Sequence, residues 1–327
     1  VIPHSKPFIG PEEFEAVANV LNSGQLTQGK EVAAFEQECA EFMGRRHGVA
    51  VNSGTAALHL ALIVLGVGKD FPVAFPSYAC SALLQAVSWQ QAQPVLCDIG
   101  PEYTLLPDTL PADCPAVIVP HLFGATAPIP AGKTVIEDIA QSIGGSTGRA
   151  TPLAITSFYA TKMMATGEGG MLFTDDDALA REARDRRDYD NRDDFKLRYA
   201  YKMTELQAAL GRAQLKRLPG FVQRRREIAQ EFSEAFRGLP VILPQATEHV
   251  YFRYVIATPL RDRLEQHLLD EGIEAKRPVY CPAHHYLGGE FPNSEKAHLE
   301  CLSIPIYPAL SSNEIQNMLT SVIKFFE

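Results

Sequence analysis

The sequence predicts an α/β fold: a large domain around a mostly parallel sheet, followed by a smaller α/β domain. Three observations carry this. Apolar runs of four or five residues alternate with helical patterning through the first 140 residues, the ordering expected of a parallel sheet. Beyond Asp175 the chain turns helical and strongly charged, and from about Pro240 it becomes a series of short strands and helices. The length of 327 residues exceeds the usual ~100–200 per domain, so two units are expected.

The elements follow in order. Pro11–Leu21 reads as a helix, with Pro11 in its first turn and Gly24 past its end, and Val32–Phe42 as a second. Strands are expected at 48–51, 71–75, 94–98, 116–119 and 134–138, with helices at 56–65 and 81–89 between them. Lys162 is read as the end of a further strand that opens at Ser157, followed by the turn Thr166-Gly167-Glu168-Gly169-Gly170 and the apolar run Met171-Leu172-Phe173. Helices are then expected at 177–187 and from Thr204, with a break at Pro219 and a long helix after it. The last expected elements are a strand at 251–256 and helices at 260–270 and 313–326. We place the domain boundary in the 218–221 stretch, dividing the chain into a large domain, 1–218, and a small one, 219–327.

Bulk properties narrow the function. Hydrophobic residues at 46% and charged residues at 21% are ordinary for a folded globular chain. A formal charge of −9 argues against nucleic acid as the main partner, which favours basic surfaces. No apolar run reaches the ~18 residues of a membrane span, and Val1–Lys6 lacks the apolar stretch of a signal peptide. Six cysteines without C-x-x-C or metal-type spacing read as reduced thiols in a cytoplasmic protein. His284 and His285 are adjacent, but neighbours on an extended piece point apart and no carboxylate follows at ligand spacing, so no metal is expected.

Three stretches suggest chemistry. Val49–Leu60 is a strand, a polar turn and a helix start, where free amides, the helix dipole and the Ser53 and Thr55 hydroxyls favour an anion such as phosphate. Plain N-capping by Ser53 or Thr55 is the competing account. Thr134–Ser142 ends an apolar strand in Glu137-Asp138 and a polar turn. Ligands of open α/β sheets sit at such strand ends, and a buried Asp138 calls for a cation such as a protonated pyridine nitrogen. Helix capping by Asp138 stays open, and Glu137, pointing the other way, is the structural acid. Lys162, partly desolvated, is set to present a free amine to a carbonyl; a solvated strand-end lysine is the alternative. An amine for a Schiff base, a phosphate cup and a counter-ion for a ring nitrogen are together what pyridoxal 5'-phosphate (PLP) requires.

Two motifs are decoys. Ala127–Thr134 ends in Gly132-Lys133-Thr134 like a loosened P-loop, yet it contains two prolines without N–H groups and leads into a strand. Gly66-Val67-Gly68 does not complete a dinucleotide fingerprint. The basic clusters at 184–187 and 224–226 offer contacts to a diphosphate or, as the simpler account, solvated helix faces.

Asn52–His59, Glu137–Ser142, Ser157–Lys162 with Gly167–Gly170, and Lys202–Ala209 resemble the DegT/StrS sugar aminotransferases over nearly the whole chain. The resemblance implies a fold type I PLP enzyme with a three-layer α/β/α large domain, working as a homodimer with shared active sites. It implies that Lys162 forms the internal aldimine and then shuttles a proton, that Asp138 holds the ring nitrogen, and that Gln141 lies near the ring. Gly54, Thr55, Ala56 and Ser157 would bind the phosphate, and Tyr280 and His284 would approach substrate. An amino acid, usually glutamate, would convert PLP to pyridoxamine phosphate (PMP), which aminates a keto sugar nucleotide. Cys80 stands where many members carry an aromatic residue on the ring, and a small buried thiol is the other account of it. Ala200 stands where an asparagine usually reaches the neighbouring subunit's phosphate, and 148–153 is shorter than usual. The alternatives are a PLP-dependent sugar dehydratase on the same scaffold, which Lys162 disfavours, and a PLP-binding regulatory protein without turnover.

Overall fold

The computed structural model describes all 327 residues. Chain order is α1 (Pro11–Ser23), α2 (Lys30–Met43), β1 (His47–Val51), α3 (Gly54–Val64), β2 (Pro72–Pro76), α4 (Ala82–Trp89), β3 (Gln93–Cys97), β4 (Ala116–Pro120), β5 (Thr134–Asp138), β6 (Leu153–Ser157) and β7 (Gly170–Thr174). There follow α5 (Asp177–Arg187), α6 (Glu205–Ala235), β8 (Tyr254–Ala257), α7 (Arg261–Asp270), α8 (His284–Leu287), α9 (Pro292–Glu300), β9 (Cys301–Ile304) and α10 (Ser312–Phe326).

β1 to β7 form one sheet in the order β1-β7-β6-β5-β4-β2-β3. β2 to β6 are parallel, and β7 runs antiparallel to both its neighbours. Strand alternation sends Val49, Val51, Ile155 and Leu172 to one face, where they pack with α3 and α4. Ala50, Ala154, Met171 and Phe173 face the other side, against Phe35 of α2 and Leu215 and Leu218 of α6. The large domain is therefore three layers, α/β/α, as expected.

Helix ends obey their sequence signals. Gly24 closes α1 at φ 71°, and Thr204 and Gln207 form a reciprocal capping box at the start of α6. The expected break at Pro219 is absent: α6 is one helix of 31 residues with the proline inside it. A proline there removes one backbone hydrogen bond and costs about 3 kcal/mol or more. Leu218, Phe221 and Val222, all buried beside it, and Arg217, stacked 4.3 Å over the Phe8 ring, offset that cost. The division after residue 218 thus falls within a continuous helix. Upstream of it α6 packs on the large sheet. Downstream, Ile228, Ala229 and Phe232 join the core built on β8, β9, α7 and α10.

Candidate active site

The strands β2, β4, β5 and β6 are parallel, so their carboxyl ends share one edge, where a cavity of about 370 Å³ opens. Lys162 lies on its wall. Its position corrects the sequence reading, because β6 ends at Ser157 and Lys162 sits in the turn that follows. That turn is closed by backbone bonds from Phe158 to Gly169 (2.9 Å), Ala160 to Gly167 (3.0 Å) and Thr166 to Phe158 (2.8 Å). Gly167 has φ 80°, a conformation that favours glycine, so the glycine-rich turn returns the chain into β7. Lys162 Nζ forms no hydrogen bond or ion pair and stands 5.0 Å from the centre of the Phe252 ring. Burial lowers its affinity for a proton, and the Arg253 charge adds to that, against the opposing pull of Cys80 and Asp138.

Asp138, at the end of β5, is buried. One carboxylate oxygen accepts the Ala140 amide at 2.9 Å, and the other has no protein partner. Burial raises its carboxyl above the usual range, opposed by the Ala140 amide and the Lys162 charge. A cation placed on the free oxygen would reverse that cost. The helix-capping account of Asp138 fails, since an irregular turn follows β5 rather than a helix.

Glu137 faces the other way and is structural, as read from the sequence. It accepts from the amides of Gly148 (2.8 Å), Ala150 (3.1 Å) and Thr151 (3.1 Å), from the Thr151 hydroxyl (2.9 Å) and from His121 Nε2 (3.1 Å). Burial alone would raise this carboxyl, but the bonds from His121, Gly148 and Thr151 outweigh it and hold it at about 2. The short 148–151 loop is thereby pinned to the strand that carries Asp138.

At the start of α3 the capping and anion-site accounts both apply, to different residues. Ser53 Oγ caps the helix by accepting the Ala56 amide at 3.1 Å. Ala56 is buried and lines no part of the cavity, so its amide is already satisfied and does not join the other predicted phosphate ligands. The amides of Gly54 and Thr55 precede the first intrahelical bonds and remain free at the cavity edge. Opposite them stands Ser157 on β6. A Cβ on Gly54 would meet the Ser157 Cβ at 2.6 Å, so only glycine permits this approach of helix start to strand end. Two free amides, a helix N-terminus and a hydroxyl in one cup fit a phosphate.

Cys80 lines the same cavity and is exposed, so it is not the small buried thiol of the alternative account. Gln141 also lines it, its side-chain oxygen fixed by the Phe123 amide at 2.7 Å. Tyr280 stands at the mouth, 90% exposed.

His284 departs from expectation. It is buried outside the cavity lining, with Nδ1 on Ser77 Oγ at 2.6 Å and Nε2 on Glu295 Oε2 at 3.0 Å. Its place as a substrate contact is corrected to that of a strut between the loop after β2 and α9. The reasoning about its neighbour is corrected too. In the short helix α8 both imidazoles reach one carboxylate, His285 Nε2 lying 2.7 Å from the same Glu295 oxygen. That carboxylate comes from α9, a partner that spacing along the chain concealed.

Each basic cluster is in part built into the fold rather than wholly solvated. Arg187 is buried on Glu36 and the Ala50 carbonyl, and Arg225 donates to the carbonyls of Tyr251, Phe252 and Ile306 at 3.1, 3.2 and 2.6 Å. Sequence reasoning missed Phe252 and Arg253, which line the cavity. The available signal was an arginine interrupting the apolar stretch 250–256.

An amine, a free carboxylate oxygen and an anion cup around one cavity are the complement of PLP. The sequence profile of the DegT/DnrJ/EryC1/StrS aminotransferase family matches residues 7–323. The chain belongs to this family. SpsC, a spore coat polysaccharide biosynthesis protein of Bacillus subtilis (strain 168), is 33% identical, the alignment covering 98% of this chain and 96% of SpsC. Among solved structures, the aminotransferase TlmJ from Streptoalloteichus hindustanus is 28% identical, with a TM-score of 0.91 and 98% of each chain covered. DesV of S. venezuelae, solved in complex with a ketimine intermediate, is 31% identical, with a TM-score of 0.90 over 97% of this chain and 94% of that one. As a DegT/DnrJ/EryC1/StrS protein the chain is a PLP-dependent aminotransferase.

Proposed function

We propose that this aminotransferase moves an amino group from an amino acid, L-glutamate first among the candidates, to a keto group of a nucleotide-linked sugar, for amino-sugar, polysaccharide or glycoside biosynthesis. Membership of the family and the similarity to SpsC support the sugar acceptor. The observation that carries the chemistry is Lys162 Nζ, an amine without a partner in a cavity shared with Asp138 and the Gly54–Ser157 cup.

When bound, PLP supplies an aldehyde for the lysine amine, a ring cation and an electron-withdrawing ring. Lys162 Nζ, held toward its neutral form by burial, would hold that aldehyde and would accept and return a proton beside it. Asp138 would hold the ring cation on its free oxygen. Gly54 and Thr55 would donate amides, and Ser157 its hydroxyl, to the phosphate, with Ala56 serving through its bond to Ser53. Cys80 and Gln141 would be available to the ring from the cavity wall, and Tyr280 to substrate at the mouth. We further propose that 1–218 acts as the cofactor-binding unit and 219–327 as the substrate-facing one, in a cytoplasmic homodimer with shared sites.

The test has two parts. Borohydride should fix cofactor to the wild-type chain and not to Lys162→Ala; fixation in the variant sinks the assignment. Glutamate should bleach the visible cofactor band with release of 2-oxoglutarate, and the resulting PMP form should aminate one member of a panel of keto sugar nucleotides, followed by mass spectrometry. An unchanged band would instead identify a PLP-binding protein without turnover, and loss of water without amination a dehydratase.

A further inference from the structure

The wall of the cavity beside Lys162 carries a concentration of positive charge that no ion pair neutralises, although Asp138 and Glu168 line the same cavity. Arg253 stacks its guanidinium carbon 5.2 Å from the centre of the Phe252 ring, the same ring that Lys162 Nζ faces at 5.0 Å. Arg253 Nη1 donates to His4 Nε2 at 3.0 Å, Nη2 has no protein acceptor, and Nε is buried without any partner. Behind it lies Arg225, fully enclosed, bonded only to backbone carbonyls and with its own Nε unpaired. Neither arginine, nor Lys162, forms an ion pair with an acidic residue. Burial and the charge of Arg253 lower Arg225 to about 9, while burial lowers Arg253 to about 10 against the opposing pull of Tyr78 and Cys80.

The histidine bonded to Arg253 adds no balancing charge. Burial, with Arg253, Lys276 and Arg225 around it, lowers His4 to about 3, so the imidazole is neutral and its Nε2 accepts the Arg253 bond, with Ser303 Oγ 2.9 Å away on the same edge. His4 thus orients the guanidinium without satisfying its charge. Buried cations without a counter-ion are costly, and an arginine fork with one free edge is suited to two parallel bonds from a carboxylate or phosphate.

We propose that Arg253, backed by Arg225 and oriented by His4, is the receptor for a substrate oxyanion, the carboxylate of the amino donor or a phosphate of the acceptor. The proposal rests on the aminotransferase reading above, and it names the group by which one of the two substrates is held beside the reacting amine. Lys162 and Arg253 share the Phe252 ring, so an oxyanion on the free Nη2 lies on the same wall as the lysine amine. The Phe252 ring lies within cation–π distance of both groups.

The test uses the PLP-loaded enzyme and two unreactive probes, glutarate for the donor carboxylate and inorganic pyrophosphate for the acceptor phosphates, with binding read by titration calorimetry. Wild-type enzyme is expected to bind at least one probe. Arg253→Met should weaken that probe tenfold or more, Arg253→Lys should recover part of the loss, and the cofactor absorbance should stay at its wild-type value while the melting temperature does not fall below wild type. Loss confined to glutarate assigns the donor, and loss confined to pyrophosphate the acceptor. His4→Ala, which removes the orienting acceptor but no charge, should cost less than Arg253→Met. Wild-type affinity of Arg253→Met for both probes, or no binding of either probe by wild type at 10-fold the ~1 mM upper range of ordinary substrate constants, overturns the proposal. Since calorimetry needs no turnover, failure of the sugar-amination reading leaves these outcomes intact and separable.

Discussion

Gly54→Ala isolates the contribution of the cofactor cup, because the change adds one methyl group at a place where the backbone has no room for it. The new Cβ would stand 2.6 Å from the Ser157 Cβ, 3.0 Å from its Oγ and 3.2 Å from its Cα. Ordinary carbon contacts begin near ~3.5 Å, so the start of α3 and the end of β6 must part by about 1 Å. Overpacking of this kind costs about 1–3 kcal/mol of stability. The same displacement separates the Gly54 and Thr55 amides from the Ser157 hydroxyl, and at least one charge-assisted bond to a phosphate between them is lost. Such a bond contributes about 1.5–3 kcal/mol, which corresponds to PLP binding weakened about 10-fold to 150-fold. The assay is a titration of apoenzyme with PLP followed by absorbance, beside circular dichroism to verify folding. A folded Gly54→Ala protein that binds PLP within threefold of wild type would refute the cup as described.

Three further outcomes follow from the same geometry. Glu137 sits at about 2 against 4.5 for an unperturbed carboxyl, so its contribution is fully present above about pH 4.5 and lost as pH falls toward 2; at about 1.4 kcal/mol per unit this is about 3 kcal/mol, and denaturant titrations from pH 7 to 2.5 should show most of that decline missing in Glu137→Gln. Asp138→Asn keeps the acceptor for the Ala140 amide and removes a carboxylate whose burial is unfavourable, so the apoenzyme should gain stability at neutral pH while turnover of the PLP form falls at least 10-fold; a less stable apoenzyme would contradict the assigned cost. Cys80, exposed in the cavity, should react with iodoacetamide in apoenzyme and be protected at least fivefold by PLP, measured by peptide mass spectrometry; equal rates would remove it from the ring's surroundings.

What the sequence disclosed divides along a physical line. Strand positions, the capped helix starts and the paired acids Glu137 and Asp138 are local: alternation puts consecutive residues on opposite faces, so one acid had to be buried with the 148–151 loop and the other turned to the sheet edge. Pro219 misled because its local cost is real, and only the packing of Leu218, Phe221 and Val222 shows how α6 absorbs it. His284 misled for the converse reason. A histidine near an active-site segment looks chemical in sequence, whereas Ser77 and Glu295, 207 and 11 residues away, take both its nitrogens.

Arg253 makes the sharper case. Nothing within several residues of it distinguishes a cation paired with a distant acid from one left unpaired, and chains normally pair buried cations. Its meaning arises only when Phe252 and Arg253, just ahead of β8, are set beside Lys162 of the 158–169 turn, with His4 from the far N-terminus on one edge and Arg225 of α6 behind. Three segments contribute a positive charge and none of the three cations meets an acid in an ion pair, which is a property of the assembled wall and of no single stretch. Fold and cofactor chemistry are therefore written in local patterns around each strand end. The proposed hold on a substrate oxyanion is written in charges that meet only after folding, which puts it on Arg253 and its supports His4 and Arg225 rather than in the motifs that identify the family.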